Sequence, residues 1–520
     1  MSEPVKTVAL KIDGQAVSVP AGTNVLEAAK TIGVDISYFC YHPGLSSPAV
    51  CRQCLVEVKG SPKLVPSCYT PVAENMEVFT TSEKTLVARQ QMLEFTLVNH
   101  PVDCPICDKA GECNLQRQYQ SWDSHPSRVD EDKVHKPKMV DLGPTIVLDT
   151  ERCILCTRCI RVCDEVAENH QLEMAWRGDR EQLTTAPGHQ LDNPYSLNTV
   201  DVCPVGALTA KDFRFEMRVW ELYSTDSVCT GCATGCNIEI HHAQGRVQRL
   251  VPRENQAVNK FWMCDDGRMT YHGLAKNRLG GARVGGAPKS IEVALAEAAK
   301  LIKGAGPGLT VVLDAQSTNE DNYAVAKLAH KLGATTAYLS RRPPDATRAD
   351  KILRDADQNP NTAGVRAIAD AVFGAGNVKP VDDFDDAGLL VAIVLGGHLS
   401  EETAARLNKV KTILLSPFGG PVADAASVVL PQAAWAELHG TYTNRQGLVQ
   451  RSRAALEPPG VARPAHELMA LLAKQLGAAW DHPSWKSLLK ELKDTVPAFA
   501  GAEAGRERPL VQLRYAHSRG

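Results

Sequence analysis

Apolar and polar residues alternate along the first part of the chain in a way that predicts a small β-rich domain. Residues 5–19 alternate around an Asp-Gly pair, a dipeptide that favours a hairpin turn. The spacing then becomes that of a short helix, which begins at Asn24 and stops at Gly33. A hairpin, a helix and then the first cysteine of the chain follow one another in the order of a β-grasp fold.

Helical spacing returns further along the chain. Apolar residues recur at helical spacing from Leu86 to Val98, which places His100 just beyond a predicted helix end. Residues 124–141 combine two prolines with many charges, so we expect an exposed connector there.

The pattern changes after a second predicted connector, Gly280 to Pro288. Helices are predicted from about Ile291 to Lys303 and from Asp321 to Leu332, and short buried strands over Thr310 to Leu313 and Leu389 to Leu395. Strands that alternate with helices imply a parallel α/β sheet. The last residues, 496–520, have too little apolar pattern to assign.

Length and composition narrow the class of protein. A chain of 520 residues exceeds one compact core, so we expect three or more domains. A net charge of -3 argues against a nucleic-acid partner. The N-terminus lacks the features of a secretory leader, and no apolar run approaches the roughly 20 residues that span a bilayer. We therefore expect a cytoplasmic protein, or one that is peripheral on a membrane complex.

The distribution of cysteine is the most informative feature of the composition. All 16 cysteines lie between Cys40 and Cys264, and the residues that follow contain none. In a reducing compartment, clustered thiols indicate metal ligands rather than disulfides. The first half of the chain is therefore predicted to hold metal sites.

The first cysteine group has the spacing C-x10-C-x2-C-x13-C and consists of Cys40, Cys51, Cys54 and Cys68. Four thiolates on the loop of a β-grasp suit a 2Fe-2S cluster, although plant-type ferredoxins have only about four residues between their first two ligands. A zinc knuckle is the alternative, because C-x2-C occurs in both kinds of site.

The second group combines one histidine with three cysteines, His100, Cys104, Cys107 and Cys113. Three closely spaced cysteines leave a 4Fe-4S cluster one ligand short, and a neutral imidazole from the adjacent turn can complete it. A capping or surface histidine is the alternative for His100.

The third group has the ferredoxin-like spacing C-x2-C-x2-C-x3-C, with a further Cys-Pro pair downstream; its members are Cys153, Cys156, Cys159, Cys163 and Cys203. In bacterial ferredoxins the fourth cysteine of such a run binds a second cluster, but no second triad precedes Cys203 here. We predict one 4Fe-4S cluster held by Cys153, Cys156, Cys159 and Cys203, which leaves Cys163 as the one spare cysteine.

Three arginines, Arg152, Arg158 and Arg161, lie among the ligands of this third group. Their positive charge would favour the more negative reduced state of a cluster. An ordinary role as solvated surface charges is the alternative, and the sequence leaves both open.

The fourth group has the spacing C-x2-C-x3-C-x27-C and consists of Cys229, Cys232, Cys236 and Cys264. These cysteines suit a third 4Fe-4S cluster, and a structural zinc is the alternative. Several clusters within half a chain predict an electron relay. The chain has no dinucleotide-binding fingerprint after a strand and no P-loop, so we expect no direct binding of NADH, flavin or ATP and no catalytic residues.

The order of these motifs resembles the large iron-sulfur subunit of respiratory complex I, the 75 kDa subunit family of the NADH-quinone oxidoreductases. The resemblance rests on the first cysteine spacing, "NHPVDCPICDKAGECNLQ" from Asn99, "CILCTRCIRVC" from Cys153 and "DVCPVGALT" from Asp201. In the second half, "STNEDNYAVAKLAHKLG" from Ser317 and "ADAASVVLPQAAWAELHGTYTNRQGLVQ" from Ala423 resemble molybdopterin oxidoreductases.

The resemblance implies a multidomain α+β and α/β protein. It implies a 2Fe-2S domain, three 4Fe-4S domains and a degenerate molybdopterin-oxidoreductase-like α/β domain over residues 1–82, 83–123, 124–220, 221–278 and 279–520. It implies electrons that arrive from a flavin subunit and leave towards quinone through other hydrophilic subunits, on the cytoplasmic side of a bacterial inner membrane. It also implies that the chain binds no molybdopterin, FMN or NAD.

Two alternatives share part of this layout. One is a subunit of an NAD-linked formate dehydrogenase or a hydrogenase, although the second half has no cysteine or selenocysteine to bind molybdenum. A scaffold held together by zinc is the other, and it would be colourless when purified.

Overall fold

The computed structural model describes residues 6–122, 126–396, 399–482, 484–502 and 511–513. These residues divide into two compact units. The first lies within Met1–Leu222 and Leu513–Gly520, and the second within Tyr223–Gln512. The three earlier metal-site motifs therefore belong to the first unit, and the fourth belongs to the second.

The first unit consists of short elements, which are β1 Thr7–Ile12, β2 Gln15–Pro20, α1 Val25–Thr31, β3 Leu55–Val58, β4 Val65–Pro66, β5 Glu77–Phe79, α2 Glu83–Leu97, α3 Asn114–Trp122, β6 Val140–Asp141, β7 Ile146–Leu148, α4 Arg158–Arg161, β8 Glu173–Ala175, β9 Gln182–Thr184, α5 Asn198–Val202 and β10 Leu208–Ala210. Long connections between them are typical of chains that wrap metal centres rather than a large apolar core.

The N-terminal elements form a β-grasp, as predicted. Strands β1 and β2 pair in antiparallel fashion, and the turn between them uses positive φ at Asp13 (47°) and Gly14 (81°). The Asn24 side chain caps α1 by accepting the Glu27 N–H at 2.8 Å. The sheet order is β2-β1-β5-β3-β4, with β1 and β5 parallel. Apolar residues on one face of this sheet pack against α1 and form the core of the domain.

The long helix α2 extends from Glu83 to Leu97, close to the range that its apolar spacing predicts. His100 therefore lies three residues beyond the helix end. The predicted connector that follows is irregular and largely exposed over residues 126–139, and residues 123–125 lie outside the described residues.

The second unit consists of β11 Tyr223–Val228, β12 Asn237–Ala243, β13 Arg246–Pro252, α6 Asp265–Arg268, β14 Ala282–Val284, β15 Ala287–Lys289, α7 Ile291–Ala305, β16 Leu309–Asp314, α8 Asn319–Lys331, β17 Ala337–Ser340, α9 Thr362–Phe373, β18 Val378–Pro380, β19 Val391–Leu395, α10 Glu401–Leu407, β20 Lys411–Ser416, α11 Pro421–Ala425, β21 Val428–Pro431, β22 Gly440–Thr443, β23 Val449–Ser452, α12 Ala465–Leu476, α13 Trp485–Thr495 and β24 Val511–Gln512. Strands and helices alternate, as the sequence predicts.

An eight-stranded sheet forms the centre of this unit. Its order is β15-β14-β21-β20-β19-β16-β17-β18, and the six strands from β21 to β18 are parallel. Both faces are covered, because one set of strand residues packs against α7, α8, α9, α12 and α13 and the other against α10 and α11. Strands that are buried on both faces explain the continuous apolar runs of β16 and β19.

The segment from Gly280 to Pro288 is not a simple connector, so that prediction was wrong. Its residues form the hairpin β14–β15, and Arg283 pairs with Val429 of β21. The hairpin extends the edge of the α/β sheet. Its two central glycines have positive φ, 54° at Gly285 and 79° at Gly286, which suits a tight turn.

Polar residues at the start of α8 are buried. The Asn319 amide donates to the Thr441 hydroxyl at 3.0 Å, and Glu320 accepts the Thr441 N–H at 2.7 Å. Asp321 forms an ion pair with His466 at 2.8 Å. Burial opposes the charged form of His466, but the bond to Asp321 outweighs it and raises the pKa of this histidine. This network joins α8 to the β22–β23 hairpin and to α12.

The variant Glu320→Gln is expected to reduce the pH dependence of stability. Burial raises the pKa of Glu320 to about 7. A carboxyl whose pKa is raised on folding stabilises the fold fully below its unfolded value of 4.5, and this contribution is lost as the pH rises through about 7. Glutamine keeps an acceptor for Thr441 and stays neutral. Between about pH 6 and about pH 8.5 the variant should therefore lose roughly 1 kcal/mol less stability than the parent.

Thermal unfolding of the cluster-loaded chain across this pH range measures the effect. The charge on His466 leaves some dependence in both proteins, because its raised pKa also makes stability fall as pH rises. Glu402→Gln is a matched control, since that side chain is 76% exposed on α10. Equal pH profiles for Glu320→Gln and the parent would contradict the prediction.

Candidate metal centres

The four cysteines of the first group converge on the loop after α1. Cys40 donates its backbone N–H towards the sulfur of Cys51 at 3.5 Å, and its thiol bonds with those of Cys51 and Cys68. These bonds lower the pKa of Cys40 to about 2, and a bond from Cys68 lowers that of Cys54 to about 7. The thiols share protons at close range, so this donor set fits a 2Fe-2S cluster bound by thiolates.

The second group surrounds the turn between α2 and α3. His100, Cys104 and Cys113 line a cavity of about 650 Å³. Within the described residues, His100 Nδ1 is buried and has no hydrogen-bond partner. Burial lowers the pKa of His100 to about 4, so its ring is neutral, which is the form that binds metals. A neutral, half-buried imidazole whose buried Nδ1 has no partner among the described residues fits a ligand better than a cap or a surface residue.

The third group lines a small cavity. Four cysteines line a space of about 20 Å³, namely Cys153, Cys156, Cys159 and Cys203. Burial raises the pKa of Cys153 to about 12 and that of Cys156 to about 11. Such thiols stay protonated at neutral pH unless a cationic metal centre compensates the thiolate charge, so the donor chemistry fits a cluster.

Cys163 lies apart from this cavity. It is fully buried in the π-helical turn Val162–Val166, and its thiol bonds with Asn193. Burial raises the pKa of Cys163 to about 12. Cys203 and not Cys163 lines the space that the other three thiols share. The role of Cys163 as the spare cysteine stays a prediction.

The fourth group lines a cavity of about 140 Å³ in the second unit, formed by Cys229, Cys232, Cys236 and Cys264 among others. A Cβ on Gly267 would lie 2.9 Å from Cys229 Sγ, so only glycine lets this backbone approach the sulfur. Burial raises the pKa of Cys264 to about 12. The donors and the enclosed space fit a 4Fe-4S cluster.

Residues of the α/β domain hold the cysteine loop of the fourth site in place. The sequence analysis did not predict these contacts. The Gln450 amide on β23 donates to the Gly235 carbonyl at 2.8 Å, and the Arg445 N–H donates to the Ala233 carbonyl at 2.7 Å. On another side the Thr234 hydroxyl donates to the Leu353 carbonyl at 2.5 Å. The cysteine loop is therefore held by residues more than a hundred positions away.

The second and third sites are in direct contact. A Cβ on Gly206, three residues after Cys203, would lie 2.2 Å from Cys107 Sγ. Arg152, which precedes Cys153, pairs with Asp103 of the second motif at 2.7 Å. The close approach of the two sites requires a glycine at position 206. The sequence contains this glycine, but its importance can be recognised only once the fold is known.

All three arginines of the third motif are buried, which excludes the alternative of solvated surface charges that the sequence left open. Arg152 is 5% exposed, Arg158 5% and Arg161 8%. A buried guanidinium must satisfy its donors within the protein, which ties these residues to neighbouring loops.

No three or more His, Cys, Asp or Glu side chains within the described ranges lie close enough together to hold a single metal ion. The ligands of a cluster bind different irons, so they need not all lie within reach of one ion. Metal analysis of the purified protein separates iron from zinc.

Family models match five segments of the chain. They are a 2Fe-2S iron-sulfur cluster binding domain over residues 5–83, the NADH-ubiquinone oxidoreductase-G iron-sulfur binding region over 89–126, the ferredoxin-like domain of NADH-quinone oxidoreductase subunit 3 over 143–209, a molybdopterin oxidoreductase Fe4S4 domain over 222–274 and a molybdopterin oxidoreductase model over 418–475. An NADH-quinone oxidoreductase subunit of Mycobacterium tuberculosis is 40% identical over 355 residues. These relatives and segments are those of the 75 kDa subunit family of the NADH-quinone oxidoreductases, to which the chain is similar over about two thirds of its length.

Relatives in this family extend beyond the matched region. The Mycobacterium tuberculosis protein matches 66% of this chain and 44% of its own length. The mitochondrial iron-sulfur protein 1 of Solanum tuberosum NADH dehydrogenase is 39% identical over 65% of this chain and 46% of its own length. The 75 kDa subunit of Reclinomonas americana is 37% identical, with coverages of 66% and 52%. The chain thus spans about half the length of the curated relatives that it matches.

Among solved structures, a chain of an NAD+-reducing [NiFe]-hydrogenase in the H2-reduced state is 30% identical, with a TM-score of 0.37, over 41% of this chain and 91% of that one. The five segment matches confirm the predicted fold class, with 2Fe-2S and 4Fe-4S domains followed by a molybdopterin-oxidoreductase-like α/β domain.

Proposed function

We propose that this chain is the iron-sulfur electron-relay subunit of an NADH-quinone oxidoreductase and passes electrons from a flavin subunit towards quinone. The observation that carries the proposal is the contact between the second and third sites, where Gly206 lies against Cys107 Sγ. Electron carriers must lie close together for rapid transfer, and a contact between ligand-bearing loops keeps two carriers near each other.

The proposed cofactors are one 2Fe-2S and three 4Fe-4S clusters. The proposed ligands are Cys40, Cys51, Cys54 and Cys68 for the 2Fe-2S cluster, His100, Cys104, Cys107 and Cys113 for the first 4Fe-4S cluster, Cys153, Cys156, Cys159 and Cys203 for the second, and Cys229, Cys232, Cys236 and Cys264 for the third. When bound, such clusters supply one-electron carriers.

The chain's own residues shield the third site from water and hold the second and third sites close to each other. Burial of Cys156, Cys159 and Cys203 keeps solvent from the third site.

The five proposed domains are residues 1–82, 83–123, 124–220, 221–278 and 279–520. The hydrogen bonds of Gly235 and Thr234 to the α/β domain support a joint unit for the last two.

The proposed partners are the other hydrophilic subunits of the complex, namely those that carry flavin, a small 2Fe-2S centre, two 4Fe-4S clusters and the quinone site. We propose a peripheral position on the cytoplasmic side of the inner membrane. None of the helices in the described part of the chain has the length and apolar character needed to cross a bilayer.

The proposal includes no bound molybdopterin. At the carboxyl ends of the parallel strands, Asp314, Arg342 and Gln432 line a crevice of about 370 Å³, near the lower limit for small-molecule sites. The second half of the chain supplies no cysteine that could bind molybdenum there. A formate dehydrogenase would need such a metal centre, so metal analysis separates the two functions.

The purified chain is expected to contain about 14 iron atoms and no stoichiometric zinc, because one 2Fe-2S and three 4Fe-4S clusters require that number. Inductively coupled plasma mass spectrometry of the anaerobically purified protein measures iron, zinc, molybdenum and tungsten together. About 10 iron atoms with one zinc would mean that a 4Fe-4S site, the Cys229 group first, holds zinc instead.

Molybdenum or tungsten near one atom per chain would favour the formate dehydrogenase alternative. A colourless protein with about four zinc atoms would overturn the relay and support a zinc-held scaffold.

A further inference from the structure

Arg161 lies between the first and third sites. Its Nη2 donates to the carbonyl of Cys40 at 2.5 Å and is 3.4 Å from the carbonyl of Cys156. One guanidinium nitrogen therefore contacts the backbone of a proposed ligand from each of two clusters. The residue is 8% exposed, so its charge is shielded little by water.

The remaining contacts of Arg161 leave its charge without a directly bonded anion. Its Nη1 donates to the Ser46 carbonyl, and within the described residues its buried Nε has no partner. All of its hydrogen bonds in this part of the chain go to carbonyl oxygens. Glu165 is nearby, but it is exposed and instead accepts the Ser46 N–H at 2.8 Å.

A buried cation without a bonded carboxylate is costly unless other negative charge compensates it. Thiolate-bound clusters carry negative charge, and each reduction adds one more unit. The two sites that Arg161 contacts would therefore supply its compensation, and the arginine would in turn stabilise their reduced forms.

We propose that Arg161 couples the first and third clusters electrostatically and raises the reduction potentials of both. The inference rests on the proposed function, in which electrons come from NADH through the flavin partner one at a time. No bond is made or broken at Arg161. The residue acts through the clusters and is a positioning residue rather than a catalytic one.

Arg161→Gln is expected to lower the midpoint potentials of the first and third clusters together. A unit charge at about 10 Å in a medium of effective permittivity about 20 changes an equilibrium constant roughly tenfold. For a one-electron couple this corresponds to about 59 mV at each cluster. The second cluster should keep its potential, because Arg152 and Arg218 border it and Arg161 does not.

The experiment is a redox titration of the native complex, monitored by EPR, for the parent and three variants. Arg161→Lys keeps the charge and should keep both potentials within the titration error. Glu165→Gln removes a nearby exposed negative charge and one of the two oxygens that accept from Ser46. It should raise both potentials by less than the roughly 59 mV that a tenfold change represents. This last variant decides the matter if Arg161→Gln does not assemble.

Three results would overturn the inference: unchanged potentials in Arg161→Gln with all clusters present, a shift at one cluster alone, or an equal shift in Arg161→Lys. If the complex does not assemble with Arg161→Gln, an unchanged Glu165→Gln overturns it. Absence of the first and third signals from the parent complex after NADH reduction would instead contradict the proposed function, so the two failures are distinguishable.

Discussion

Replacing His100 by alanine is expected to weaken or remove the second cluster and to stop electron transfer from the flavin partner to quinone. The imidazole is neutral because burial lowers the pKa of His100 to about 4, and its Nδ1 is buried without a partner among the described residues. Alanine supplies no donor in its place. Even a lost outer-shell contact costs about 10- to 100-fold in metal affinity, so loss of a ligand should exceed that.

The measurement compares NADH oxidation by an artificial acceptor that takes electrons at the flavin with oxidation by quinone, in the assembled complex. For His100→Ala the first rate should stay near the parent value and the second should fall by at least about 100-fold. Wild-type quinone reduction with intact cluster signals would show that His100 is an ordinary capping histidine.

His100→Cys is the matched variant. A thiolate restores a ligand but adds one negative charge, so the cluster should persist with a lower reduction potential than in the parent. EPR signals that remain while the midpoint potential falls would agree with a ligand role. An unchanged potential would contradict it. If residue 100 does not bind iron, replacing it with cysteine leaves the charge of the cluster, and therefore its potential, the same.

Cys203→Ser is expected to remove one 4Fe-4S cluster, whereas Cys163→Ser should leave all clusters in place. Cys203 shares its cavity with three other proposed ligands, and Cys163 instead bonds with Asn193. The first variant should therefore lose about four iron atoms per chain and be destabilised, because three thiols lose the metal that compensates them. Iron analysis and reduced-state EPR measure both effects.

Cys163→Ser serves as the control for a buried thiol in the same region. Its iron content and EPR signals should equal those of the parent. If this variant lost a cluster and Cys203→Ser kept it, the roles of the two cysteines would be reversed. Loss of the same signal in both variants would mean that the local fold, rather than ligation, responds to either change.

The local sequence is sufficient to predict turns, helix starts and buried strands, because neighbouring residues determine these features. The β1–β2 hairpin follows from the Asp13-Gly14 turn, and α1 begins at the residue after its capping Asn24. The predicted buried strands largely coincide with β16 and β19, which begin at Leu309 and Val391. Turn geometry, capping and periodicity act over a few residues, so they can be recognised in the chain directly.

Distant partners explain what the sequence does not reveal. Gly280 to Pro288 resembles a connector in the sequence. Its strand character depends on the pairing of Arg283 with Val429, and these residues are too far apart in sequence for the local pattern to reveal it. Asn319, Glu320 and Asp321 are charged or polar and would be expected at the surface, yet all are fully buried. Their acceptors and donors come from β22 and α12, more than a hundred residues away.

The amino-acid sequence alone specifies the donor chemistry: sixteen ligand candidates, their grouping, and the family that the motif order indicates. Folding determines which sites touch, that Arg161 spans two of them, and that the α/β domain holds the fourth cysteine loop. The type and spacing of thiols and imidazoles are local properties of the chain. The burial of a charge, in contrast, depends on partners that only the folded chain brings within hydrogen-bonding distance.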